Sequence, residues 1–138
     1  MRNQERRIVV DTNLWISYLI SPTNSKIPEI LSDNSICILM SDELLDEILI
    51  VALRTKFSRF ITKKAVDGLL ALLLKRCLRE EVKSSIQFNE DPKDAFLFSL
   101  CVDGNAKYLL TGDKILLKLK SFHSTEILSI TSFLEHRR

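Results

Sequence analysis

Several residue types are scarce in this 138-residue chain, and each scarcity removes a class of protein. Three glycines and three prolines are too few for a linker-rich or low-complexity chain. The three cysteines, Cys37, Cys77 and Cys101, are odd in number, widely spread and each set in an apolar run. They read as small buried hydrophobes of a reducing compartment, not as a disulfide framework. No Cys/His spacing fits a zinc site, and His123 and His136 are too isolated for a metal pair or a triad. No apolar run is long enough to cross a bilayer, and no signal-type stretch follows the charged segment Met1 to Arg7. The expectation is a cytoplasmic protein with no membrane contact. The net charge of +2 excludes a strongly polybasic binder and still allows a local basic patch.

What is present suits an ordinary globular chain: 46% of residues are apolar and 28% charged, enough for one domain over 1–138 with a real core. Ile8-Val9-Val10 reads as a buried strand ending at Asp11. Leu14 to Ile20 reads as a helix stopped near Ser21-Pro22, and Pro28 to Leu31 as a second short helix. Ile36 to Met40 is the next strand. Ser41 is placed to cap a helix over Asp42 to Arg54, with Leu44, Leu45, Ile48, Leu49 and Ala52 on one face. Thr62 opens a long amphipathic helix through Leu78, with Leu69, Leu70, Leu73 and Leu74 as its stripe. Val82 to Ile86 suits a short strand. Asp91-Pro92 opens a helix through Val102 that stops at Gly104. Lys107 to Leu110 forms a strand, followed by a short helix to Lys120. Ile127 to Ile130 is the last strand, and Ser132 to Glu135 a closing helical turn. This alternation implies a three-layer α/β/α sandwich around a parallel sheet of four to five strands. Such sheets bind ligands beyond the carboxyl ends of their strands.

The acids draw attention to that edge. Taken singly, Asp11 and Asp113 suit helix caps at strand-to-helix corners, and Asp91-Pro92-Lys93-Asp94 looks like a cap followed by a first helical turn. Taken together, Asp11 and Asp113 fall on one edge of the sheet. Asp94 opens a helix that is otherwise almost wholly apolar, in line with Phe98 and Cys101. An inward carboxylate is costly unless it is paired or bound to a cation. The helix after Ser41 offers a fourth acid. Glu43 points away from the apolar face, whereas Asp46 and Glu47 flank it on opposite sides, and periodicity does not choose between them. Clustered carboxylates repel, and a hard divalent cation such as Mg²⁺ or Mn²⁺ relieves that repulsion. The chemistry such a site serves is phosphodiester hydrolysis.

Four blocks carry a resemblance: Val9-Val10-Asp11-Thr12-Asn13, Ser41-Asp42-Glu43-Leu44-Leu45-Asp46-Glu47, Asp91-Pro92-Lys93-Asp94 and Leu110-Thr111-Gly112-Asp113. In this order the chain resembles the PIN-domain family, and within it the stand-alone prokaryotic toxin components of toxin–antitoxin pairs (VapC-like ribonucleases). The resemblance implies a PIN fold and Mg²⁺- or Mn²⁺-dependent cleavage of single-stranded RNA. It implies a cognate antitoxin and a homodimer. It places the catalytic and metal-binding carboxylates at Asp11, Glu47, Asp94 and Asp113, choosing Glu47 over Asp46. Asn13 and Thr111 match supporting polar positions. Asp91 matches an acid common in the subgroup, read as a cap first and an outer ligand second. One position departs: a further acid often found two residues after the Gly-Asp pair is Ile115 here, which puts a second metal in doubt.

A basic stretch lies elsewhere. Arg54, Lys56, Arg59, Lys63 and Lys64 surround Phe57 and Phe60, a pattern that suits a nucleic-acid strand. The competing reading is a solvated helix junction with both phenylalanines in the core. An aspartyl phosphatase or a receiver domain fits poorly, because Asn13 stands where the phosphatase pattern wants its second acid.

Overall fold

A computed structural model describes residues 6–84 and 94–136. Six strands form one sheet in the order β3-β2-β1-β4-β6-β5. The strands are β1 (Arg7–Val10), β2 (Cys37–Met40), β3 (Leu78–Arg79), β4 (Tyr108–Leu110), β5 (Ser121–Phe122) and β6 (Thr125–Leu128). All neighbours pair in parallel except β5, which runs antiparallel to β6. Ile8, Val9 and Val10 alternate between the two faces of β1, and all three are fully buried. Both faces of the central strand are therefore covered, as the three-layer sandwich requires.

The helices are α1 (Thr12–Ile20), α2 (Ile27–Leu31), α3 (Asp42–Ala52), α4 (Lys63–Arg76), α5 (Ala95–Asp103), α6 (Lys114–Leu119) and α7 (Ile130–His136). Ser41 starts α3 as its spacing suggests, its hydroxyl accepting the Leu44 amide at 3.1 Å. Thr62 does the same for α4 through Ala65, at 3.1 Å. Among the described residues no helix is long and apolar enough to cross a membrane.

Several boundaries move from their sequence-based positions. Helix α4 ends at Arg76 instead of Leu78, and Leu78 opens β3 against Leu39. Arg76 secures that break: its guanidinium donates to the carbonyls of Leu31 (3.0 Å), Asp33 (2.8 Å) and Ile36 (3.0 Å). Leu74 leaves the expected stripe and is 69% exposed, while Val66 joins Leu69 and Leu73 in the core. The strand expected from Val82 to Ile86 is absent as far as Ser84, and its last two residues lie outside the described ones. The Lys83 and Ser84 amides turn instead to the Asp103 carboxylate, at 2.6 and 2.8 Å. The last parallel strand starts at Thr125, and Ser129 caps α7 by accepting the Ser132 amide at 3.1 Å. Cys37, Cys77 and Cys101 are free, and burial pushes the Cys77 and Cys101 thiols up to about 12.

Candidate active site

The chain leaves β1 toward β2 and β3 on one side and later returns to lay β4 on the other. The crevice between the carboxyl ends of β1 and β4 is thus the topological switch point, where open α/β sheets take their ligands. Register brings the site together there. Val10 pairs with Leu110, so Asp11 and Thr111 are the next residues on the two strands. The Asp11 amide extends the ladder to the Leu110 carbonyl at 2.9 Å.

Asp11 and Asp113 occupy equivalent strand-to-helix corners, yet their carboxylates are used differently. Asp113 caps α6, its Oδ1 accepting the Ile115 amide at 2.8 Å. Asp11 precedes α1 and makes no side-chain cap. Its Oδ2 instead accepts a 2.7 Å hydrogen bond from the Thr111 hydroxyl. Thr111 Oγ in turn accepts the Asp113 amide at 3.0 Å, so one fully buried hydroxyl ties both corners together.

Asp11 is only 6% exposed. Burial pushes its carboxyl above the ordinary carboxylate value, and the charges of Asp113 and Glu47 push the same way. The Thr111 hydroxyl and the Thr12 amide pull it back in part. Among the competing acids of α3, Glu47 is half-buried and its charge reaches Asp11, while Glu43 and Asp46 face solvent.

Asp94 stands immediately before α5, half-buried, with no side-chain cap bond. The other end of that helix is anchored to β1. Arg7 Nε, at the start of β1, donates to the carbonyl of Gly104, which closes α5, at 2.7 Å. Helix α5 itself packs against β1, which leads to Asp11, and against α3, which carries Glu47. Asn13 is exposed on the first turn of α1. Asp91 lies outside the described residues.

The PIN-domain family profile matches residues 7–115. The chain belongs to the PIN-domain family. No curated protein is a significant match. PIN domains are generally nucleases, bind nucleic acid and use divalent metal ions. In this PIN domain, no three His, Cys, Asp or Glu side chains among the described residues are gathered closely enough to hold an ion by themselves. A strongly hydrated ion asks for less, because Mg²⁺ keeps several waters and takes one or two carboxylates directly. The donors present are hard oxygens and suit such an ion.

A second observation agrees with a hydrated occupant. The Thr12 hydroxyl, next to Asp11, is buried without a hydrogen-bond partner. Trp15 Nε1, one turn along the same helix face, is likewise unpartnered. Buried polar atoms of this kind ordinarily find a protein or water partner. Thr12 was not among the residues singled out from the sequence. Its signal was there, since helical spacing aligns it with Trp15, Ile16 and Leu19, all buried.

Proposed function

We propose that this PIN domain is a metal-dependent endoribonuclease that hydrolyses phosphodiester bonds of single-stranded RNA. Asp11, Glu47, Asp94 and Asp113 are its catalytic and ion-holding carboxylates, with Mg²⁺ or Mn²⁺ as the ion. The observation that carries this reading is the buried Asp11 carboxylate at the switch point, held by Thr111 within reach of the charges of Glu47 and Asp113. A divalent ion bound there would neutralise the phosphate and ease ionisation of the attacking water.

The chain's own groups divide the remaining work. The Thr111 hydroxyl fixes the Asp11 carboxylate and stabilises its charged form. Glu47, from α3, and Asp94, at the start of α5, would accept hydrogen bonds from the attacking water. Asp113 caps α6 with one carboxylate oxygen, which aims the other. Asn13 and Thr111 would support the ligand; Asp91, a cap first and an outer ligand second in this reading, lies outside the described residues.

The finer biological role is the toxin of a type II toxin–antitoxin pair in the prokaryotic cytoplasm. A cognate antitoxin would block the acidic edge, and the toxin would act as a homodimer. Ile50, Leu53 and Leu74, exposed on and just after α3 and on α4, supply apolar surface for such partners.

The test is cleavage of single-stranded RNA with Mn²⁺ or Mg²⁺. Cleavage should stop with EDTA and fall by at least about 100-fold in Asp11→Asn, as for loss of one group that stabilises transition-state charge. Cleavage that ignores EDTA and persists in the variant overturns the reading. A second reading, a catalytically weak PIN domain that holds RNA or protein without cutting, draws on two observations. No three-ligand cluster is gathered among the described residues, and Ile115 replaces a further acid. Calorimetry that detects no ion binding at millimolar Mg²⁺ or Mn²⁺ would favour it.

A further inference from the structure

The connection between α3 and α4 is not the solvated junction with two core phenylalanines that its sequence also allowed. Phe57 packs against the core, but Phe60 is 58% exposed. Its position is held. The Phe57 amide donates to the Arg54 carbonyl at 2.9 Å, and the Phe60 and Ile61 amides both donate to the Phe57 carbonyl at 2.9 Å. Ile61 is buried, so the ring of Phe60 stands outward between two anchored neighbours.

The charge on the segment that carries it has one sign. From Arg54 to Lys64 the sequence holds Arg54, Lys56, Arg59, Lys63 and Lys64 and no acid. All five cations are exposed. Among the described residues the ion pairs are Arg7–Glu80 and Arg79–Asp42, and none of the five takes part. Lys56 Nζ lies 5.1 Å from the centre of the Phe57 ring, which keeps its charge beside the aromatic pair.

A lone exposed phenylalanine is ordinary. An exposed aromatic flanked in sequence by unpaired, exposed cations matches a ligand with flat rings joined by anions, which is a single-stranded nucleic acid. Distance agrees. Arg54 follows Glu47 by seven residues along α3 and its end, about 10 Å at the helical rise. A stacked strand advancing about 3.4 Å per nucleotide covers that span in roughly three nucleotides.

We propose that the Arg54–Lys64 segment is a docking platform for the single-stranded RNA substrate, with Phe60 stacking on a base and the surrounding cations holding the flanking phosphates. This rests on the nuclease reading above for its substrate, but the platform binds without the ion.

The test is therefore binding in EDTA, read as the fluorescence anisotropy of a short labelled single-stranded RNA. Phe60→Ala weakens binding about 5- to 150-fold, the fold-change equivalent of losing one stacked base. Replacing Lys63 and Lys64 together with Gln lowers the salt slope by about 1.4, from two lost phosphate contacts. Lys26→Gln, an exposed cation elsewhere, leaves binding unchanged. An abasic strand binds more weakly and no longer senses Phe60→Ala. In Mn²⁺, Phe60→Ala raises KM and leaves kcat in place. No RNA binding by the wild type, or equal binding by all variants, overturns the platform. So does a polyglutamate peptide that binds as tightly and is weakened by the same substitutions. If the wild type binds RNA as described and never cuts it, the nuclease reading fails and the platform stands.

Discussion

Thr111 and Asp11 are one hundred residues apart in sequence, and the threonine hydroxyl donates a 2.7 Å hydrogen bond to the aspartate. Parallel pairing of β1 with β4 brings the two side by side, because they follow paired positions. Thr111→Val removes the donor to Asp11 and leaves the half-buried Asp113 amide without its acceptor. Stability should fall by about 1–3 kcal/mol, the cost of unmet buried polar groups. Losing a hydrogen bond that lowers the Asp11 pKa raises that pKa further. The acid limb of the pH–activity profile therefore moves to higher pH in Thr111→Val and returns in Thr111→Ser.

Asp11 also makes the fold sensitive to pH. Its folded pKa lies above the ordinary 3.8, chiefly through burial. Below pH 3.8 the group is protonated in both states and has no linked cost. As pH rises through 3.8 toward the raised folded value, the unfolded chain loses the proton first, and stability drains away. Asp11→Asn does not ionise. In EDTA its Tm should match the wild type's at low pH and exceed it at neutral pH. Added Mn²⁺ should reverse the order. An ion at a hundredfold its Kd stabilises the wild type by about 2.7 kcal/mol, and the variant gains much less. Parallel melting curves across pH and metal would contradict this.

Gly104 is needed for space. A Cβ there would stand 2.6 Å from Leu39 Cδ1 and 3.0 Å from the Leu100 carbonyl oxygen. Leu39 is fully buried, and the second close atom belongs to the backbone. Gly104→Ala should destabilise the fold by about 1–3 kcal/mol through overpacking, measured by denaturant unfolding. Gly112→Ala, where a Cβ meets nothing within 4 Å, is the control.

Lys120 ends α6 with φ 65°, a left-handed conformation that costs a residue bearing a Cβ roughly 1–2 kcal/mol. Its carbonyl accepts the Ile127 amide at 2.9 Å, so the conformation is built into the turn toward β6. Lys120→Gly should stabilise the chain by up to about 1 kcal/mol, seen as a higher Tm.

The sequence showed the skeleton of the site because its signals are local. An apolar run ending in an acid before a helical period marks Asp11, and a Thr-Gly-Asp turn after a strand marks Asp113. Ser41 and Thr62 announced their helices as cap residues set just before a helical period. The sequence left undecided what depends on contacts across the sheet. Asp46 and Glu47 flank one helical stripe symmetrically, and only the packing of α3 against α1 and α5 shows which charge Asp11 feels. Asp11 and Asp113 had the same local reading as caps, but one is drawn off its helix by Thr111. The two-residue strands β3 and β5 are too short to carry a period, and partners in β2 and β6 define them. Leu74 obeyed the helical period and still faces solvent, since periodicity reports which face a residue shares and not how far the core extends.

The central claim is that Asp11, Glu47, Asp94 and Asp113 act on one phosphodiester. Its most direct test is the rate of Mn²⁺-supported cleavage of single-stranded RNA by five folded variants: Asp11→Asn, Glu47→Gln, Asp94→Asn, Asp113→Asn and Asp46→Asn. The first four should each lose at least about 100-fold, while Asp46→Asn, exposed on the far side of the stripe, retains the wild-type rate. Full activity in Glu47→Gln or Asp94→Asn, or a loss confined to Asp46→Asn, would contradict the assignment.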